Sequence, residues 1–113
     1  MLSKKHRLTK REDFSITYSQ GSYANYDGIA IKYAKTGQPE TRVGFPVGKN
    51  FSKKAAERNR ARRILQAACQ VHVLSLKQGF NIIVMPQPGN KELEFKKAVV
   101  ALEQVFIKAN LFI

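Results

Sequence analysis

The chain has 113 residues, 20 of them Lys or Arg against 8 Asp or Glu, for a formal net charge of +12. That length suits one compact domain and leaves little room for a second, and a 43% hydrophobic content with only seven glycines and four prolines excludes low-complexity and compositionally disordered chains. So large a charge on so small a domain favours a polyanionic partner, nucleic acid first and an anionic membrane second. The single cysteine, Cys69, cannot form an internal disulfide, and no apolar run approaches the roughly 18 to 20 residues that span a bilayer. A reducing, cytoplasmic setting is expected. The basic start, MLSKKHRLTKRED, lacks the apolar core and small-residue cleavage site of a secretory signal, so it is expected to stay on the mature protein.

Along the chain, Thr9 followed three residues later by Glu12 has the capping-box spacing. It predicts a short helix from about Lys10 to Gln20, with Gly21 as a left-handed stop. GIAIKYAK alternates, with Ile29, Ile31 and Tyr33 on one face, and TGQPE reads as a turn before TRVGFPVGKN, which predicts a hairpin-like pair of strands. In RVGFPVG the residues Val43, Phe45 and Val47 share a face and leave Gly44, Pro46 and Gly48 on a nearly bare one. Pro46 would delete a ladder hydrogen bond, so it points to an edge, a bulge or a strand end. Ser52 is the expected N-cap of a helix running to about Leu74 or Leu76, before Gly79. FNIIVMP reads as a short strand apolar on both faces, which fits a buried parallel strand. Phe95, Ala98, Val99, Leu102, Val105, Phe106 and Ala109 then fall at three- and four-residue steps, the stripe of a closing amphipathic helix.

The helix containing RNRARR raises the functional question. Turned at about 100 degrees per residue, it puts Ala61, Ile64, Leu65, Ala68 and His72 on one stripe. Arg58 and Arg62 flank that stripe on one side, Arg60 lies towards the other, and Asn59 and Arg63 point roughly away. Like charges at helical neighbours repel, costing a few tenths of a kcal/mol per pair, so an external anion is expected to relieve them. Arginine pairs with phosphate oxygens through a planar fork of donors and keeps its charge at any working pH. Lys49, Lys53 and Lys54 extend the field upstream, and Lys4, Lys5, Arg7, Lys10 and Arg11 form a second cluster. A solvated helix face is the competing explanation, although solubility surfaces mix both signs. A membrane-surface helix would need Trp, Phe or Leu beside its cations, and RNRARR has none.

Catalytic groups are not legible. A nuclease needs a carboxylate cluster holding metal, or a histidine pair acting as acid and base. Glu12 and Asp13 sit at a helix start, as do Glu57 and the pair Glu92 and Glu94; His72 falls on a core stripe, His6 lies in a basic tail, and Cys69 is expected to be inert. The aromatics point elsewhere, since rings beside cations hold single strands without reading sequence. Phe14 and Tyr18 are four apart on the first helix, and Lys32 and Tyr33 could border the same groove; core packing accounts for Phe14 equally well. Besides a processing factor, a ribosomal or other structural RNA-binding protein and a duplex-reading DNA regulator both remain open at this point.

The blocks LTKREDF, RVGFPVGKN, KKAAERNRARR and GFNIIVMPQP, in that order and ahead of a closing amphipathic helix, resemble the protein subunit of bacterial ribonuclease P over nearly the whole chain. The resemblance implies an α+β fold: a two-layer α/β sandwich similar to a small ribosomal-protein domain, over residues 1–113 as a single RNA-binding domain. Its central mixed sheet would have a left-handed βαβ crossover carrying the basic helix. The resemblance also implies that the catalytic groups, and the magnesium they use, belong to a large partner RNA. The protein would support 5′ endonucleolytic maturation of precursor tRNA. By position, Arg58, Asn59, Arg60, Arg62 and Arg63 carry over as contacts to that RNA, with Lys49, Lys53 and Lys54 expected to extend the same field. Phe14 and Tyr18 carry over as aromatic residues of a cleft for the 5′ leader, which Arg11, Lys32 and Tyr33 are expected to border. No metal ligand, bound cofactor, membrane or obligate protein partner is implied for the protein itself. The family often has small polar residues where Pro46 and Gly48 stand, and an acidic residue where Gln66 stands.

Overall fold

The computed structural model describes residues 2–90 and 93–113. Glu92, read above as part of a helix start, lies outside them. After a 3-10 turn over Lys4–His6 come α1 (Arg11–Gln20), β1 (Ser22–Tyr26), β2 (Ile29–Lys35), β3 (Arg42–Gly44), α2 (Ala55–Gln70), a 3-10 turn over Val73–Ser75, β4 (Phe80–Pro86) and α3 (Phe95–Lys108). The sheet order is β1-β2-β4-β3, with β2 antiparallel to both β1 and β4 and β3 parallel to β4. The apolar run FNIIVMP therefore occupies a central position, where Ile82, Ile83 and Val84 are fully buried because both faces of the strand are covered. The chain between the parallel neighbours β3 and β4 carries α2.

The predicted hairpin between GIAIKYAK and the strand after it does not form, because β4 inserts between β2 and β3. The antiparallel partner of β2 is instead β1, across a tight turn in which Asp27 and Gly28 take positive φ of 46° and 83°. As expected from Pro46, β3 lies at a sheet edge and ends before it. Beyond β3 the chain start runs alongside, with Arg7 bridged to Val43 and the Leu8 amide donating to the Val43 carbonyl at 3.0 Å.

One face of the sheet presents Ile29, Ile31, Val43, Ile82 and Val84, continued by Phe45 and Val47, and α2 and α3 pack over it. Ala61, Leu65, Ala68 and Cys69 come from α2; Ala98, Ala101, Leu102, Val105 and Phe106 come from α3. This is the main core and the sandwich proper. On the opposite face the shorter α1 packs on β2 and β4 and buries only Thr17 of its own residues. Gly44 points to that side, and a Cβ there would lie 2.5 Å from the Phe14 ring. At Gly44 the bareness of RVGFPVG makes room for the Phe14 ring of α1.

Helix ends differ from the sequence reading in four places. At α1 the capping residue is Lys10 without a side-chain bond, and Thr9 is exposed. Pairing of Leu8 with Val43 holds the chain extended past Thr9 and delays the first turn. Gly21 stops α1 in an extended conformation (φ −76°, ψ 157°) and is needed for space, since a Cβ would run into the Thr17 and Tyr33 carbonyls. Before α2, Ser52 lies outside the capping position; its Oγ accepts from the Lys54 amide at 3.2 Å and donates to Glu57 Oε1 at 2.5 Å. Finally, α2 stops at Gln70, because Leu76 and Lys77 leave the helical path to pair with Phe112 and Leu111 at the chain's end. His72 still closes the stripe, its Nε2 2.9 Å from the Val99 carbonyl and its ring 5.6 Å and 6.2 Å from those of Phe112 and Phe106. In α3, Phe95 departs from the predicted stripe and is 47% exposed.

Candidate nucleic-acid interface

The apolar stripe of α2 orients its cations. With Ala61, Leu65 and Ala68 pinned in the core, the arginines fan over the remaining arc. Arg58 donates to the Ser52 carbonyl at 3.0 Å, Arg60 to the Leu93 carbonyl at 3.2 Å, and Arg62 to Asn59 Oδ1 at 2.8 Å and the Val47 carbonyl at 3.5 Å. These acceptors are neutral. They fix the direction of each guanidinium without cancelling its charge, and each fork keeps donors for a phosphate. Arg63 and Asn59 are exposed, as are Lys49, Lys53 and Lys54 on the approach to the helix. The arrangement predicted for RNRARR is therefore present, with a detail the sequence did not show: three of its four arginines are held by backbone or amide oxygens.

A groove opens where α1 fails to cover its face of the sheet. It encloses about 650 Å³, and its walls include Tyr18, Tyr23, Lys32, Pro46, Phe51 and Met85, with Asn50 and Gln87 as further polar groups. Tyr18 is 44% exposed. Its hydroxyl donates to Met85 Sδ at 2.7 Å, and its carbonyl accepts from Lys32 Nζ at 2.7 Å. That ammonium also lies 5.0 Å from the Tyr18 ring centroid, within cation–π range. The ring is thus tethered through its hydroxyl with a charge over it, the aromatic and cation combination with which proteins hold single strands.

Three of the expected cleft residues are placed elsewhere. Tyr33 shares the alternation of Ile29 and Ile31, so it packs half-buried against the main core on the other face of the sheet. Phe14 lies over Gly44 outside the groove walls, where ring packing fills the space a side chain would take. Arg11, exposed at the first residue of α1, is also outside those walls. The sequence reading missed Tyr23, which pairs directly with Lys32 across β1 and β2 and is 53% exposed in the groove. It also missed Asn50, Phe51 and Gln87. The available signal was the YANY stretch, two tyrosines among few apolar neighbours just ahead of the Asp27-Gly28 turn.

The groups that could have carried protein-based catalysis are engaged. His72 is buried and bonded to Val99, and His6 Nδ1 lies 3.0 Å from the Thr41 carbonyl. Burial pushes the Cys69 thiol from its ordinary 9.0 up to about 12, which keeps it protonated and weakly nucleophilic at neutral pH. Among the described residues, no three His, Cys, Asp or Glu side chains are grouped to hold a metal ion.

Comparison with known proteins gives one consistent result. The family model described as Ribonuclease P matches residues 2–110. The ribonuclease P protein component of Picosynechococcus sp. is 30% identical over 111 residues, covering 98% of this chain and 96% of that protein. The one from Bacillus velezensis is 32% identical over 112 residues, covering 98% and 95%. Among solved structures, the RNase P protein of Staphylococcus aureus superposes with a TM-score of 0.82 at 23% identity, over 96% of this chain and 98% of that one. The Thermotoga maritima protein gives 0.78 at 24%, over 90% and 96%. At those identities the superpositions speak for the fold.

Proposed function

The chain belongs to the family of ribonuclease P protein components, and from that premise we propose that it binds the catalytic RNA of ribonuclease P through α2 and the single-stranded 5′ leader of precursor tRNA in the Tyr18 groove. The observation that carries this reading is the pairing of two unlike surfaces on one small scaffold. One is an arc of arginines whose hydrogen bonds leave their charge intact; the other is an aromatic groove with a fixed cation. The first suits the phosphates of a folded RNA met from several directions. The second suits unpaired nucleotides taken one base at a time.

On this reading the like-charge repulsion within RNRARR is relieved by RNA phosphates, and the protein screens two polyanions from one another. The residues positioned to do so are Arg58, Asn59, Arg60, Arg62 and Arg63, with Lys49, Lys53 and Lys54 adding to the field. Hydrolysis and its magnesium belong to the RNA; no residue of this chain is assigned to either. A cytoplasmic setting goes with this role, supported by a free, buried Cys69 and by the lack, among the described residues, of any helix long and apolar enough to cross a membrane. A ribosomal RNA-binding role is not favoured by the relatives found.

The test is to reconstitute the protein with ribonuclease P RNA and compare affinities for precursor and mature tRNA. The protein should strengthen binding of the precursor more than that of the mature species. An equal gain for both would remove the leader from the groove.

A further inference from the structure

Three hollows on the molecule share walls. Phe51 belongs both to the Tyr18 groove and to a smaller hollow that includes Glu57, Arg60 and Leu93. Arg60 in turn belongs both to that hollow and to a shallow depression between α2 and the start of α3, whose walls are Arg60, Arg63, Ile64, Ala67, Glu94 and Phe95. The outermost depression contains an aromatic ring the fold does not use. Helical spacing puts Phe95 in line with Ala98 and Leu102, both fully buried, yet it is itself 47% exposed and is not among the residues packed on the core. Beside it, the Arg60 guanidinium is tied at 3.2 Å to the carbonyl of Leu93, two residues before Phe95. The same short segment therefore presents the ring and anchors a neighbouring cation.

We propose that Phe95 is a stacking platform for an unpaired base of the RNA that α2 binds, with Arg60 and Arg63 taking the phosphates next to that base. This rests on the RNA-binding reading of α2 and extends the contact beyond the arginine arc. A nucleotide satisfies both halves of the depression, since its base offers a π-face to the ring and its phosphate a bidentate partner to arginine. An apolar protein surface laid over Phe95 would strip water from two arginines and give them no counter-charge. Glu94 on the rim repels phosphate, which places the backbone on the arginine side. Its carboxylate is an acceptor for amino groups on a base edge.

The chain contains no tryptophan, so Phe95→Trp supplies a single fluorescent reporter. Titrated with ribonuclease P RNA, and separately with a single-stranded oligoadenylate, its emission should be quenched as a base stacks. Phe95→Ala and Phe95→Leu should each weaken binding to ribonuclease P RNA by about five- to a hundredfold with the salt slope unchanged. Phe95→Tyr should stay within about twofold, and Arg63→Ala should reduce the salt slope by about one unit or less. Full affinity in Phe95→Leu would show that the ring is not used for stacking and would overturn the proposal. Unperturbed Trp emission at saturating RNA would do the same, as would a protein partner that alone perturbs it. If Phe95 variants are silent while Arg60→Ala and Arg62→Ala lose affinity, this inference alone falls. If all are silent, the reading of α2 falls with it.

Discussion

The two faces of the sheet differ in what covers them. One carries Ile29, Ile31, Val43, Ile82 and Val84 under two helices whose inward side chains are buried to the last atom at Leu65, Leu102, Val105 and Phe106. The other carries Ala30, Lys32, Gly44 and Met85 under a ten-residue helix that buries one threonine of its own. Large apolar residues on the first face hold the molecule together. On the second, Ile83 is fully buried, while Ala30, Lys32 and Met85 line a groove open to solvent. On the proposed reading, stability and leader recognition are written on opposite sides of the same strands, at alternating positions, with α2 facing the core with one stripe and offering the rest to RNA.

That separation can be broken most forcefully on the core face. Phe106→Ala should cost about 3–5 kcal/mol of stability through lost burial and the cavity left behind, visible as a lower denaturant midpoint, while the fraction still folded should bind RNA normally. An RNA-binding loss in the folded fraction would mean the faces are not separable. On the groove face, Tyr18→Ala should leave the denaturant midpoint nearly unchanged and cost about 1–3 kcal/mol in binding precursor tRNA, with little effect on mature tRNA; equal losses for both would move Tyr18 out of the leader site. On the outer arc of α2, Arg62→Ala should reduce the salt slope of RNA binding by about one unit or less at near-native stability. An unchanged slope would make its bond to Val47 purely structural.

The smallest expected effect concerns Cys69. Its pKa is raised in the folded protein by burial, so the unfolded chain loses the proton first. Stability contributed by the protonated thiol is complete below about 9 and declines as pH rises from there towards about 12. Thiol reagents at pH 8 should accordingly modify Cys69 only as fast as the protein opens, and rapid labelling under native conditions would place it outside the core.

Local periodicity carried the sequence reading where an element faces one environment along its length. The stripe from Ala61 to His72 and the apolar run of β4 were legible for that reason, and so was the bare face around Gly44. Strand neighbours were not, because nothing in GIAIKYAK reports that a strand some fifty residues away will lie beside it. β1 was missed because it is an edge strand whose inward side is a single half-buried alanine, Ala24, too little to produce an alternating pattern. Tyr33 is the instructive case. Alternation groups it with Ile29 and Ile31, whereas the reading of the aromatics set it beside Lys32 in one groove; neighbouring residues of a strand point to opposite faces, so both could not hold. The capping residues were misplaced because a cap depends on where the incoming chain is tethered, here by Leu8 against Val43, and tethers are tertiary.

On the proposed reading, this cationic protein lets two RNAs meet while leaving the chemistry to one of them. The decisive measurement is single-turnover cleavage of precursor tRNA by ribonuclease P RNA across a magnesium series, with and without the protein. Repulsion between the RNAs is screened by bulk ions when these are plentiful. The protein's advantage should therefore be largest at low magnesium and shrink as magnesium rises, with no cleavage by protein alone. An advantage independent of magnesium, or cleavage without the RNA subunit, would contradict the account.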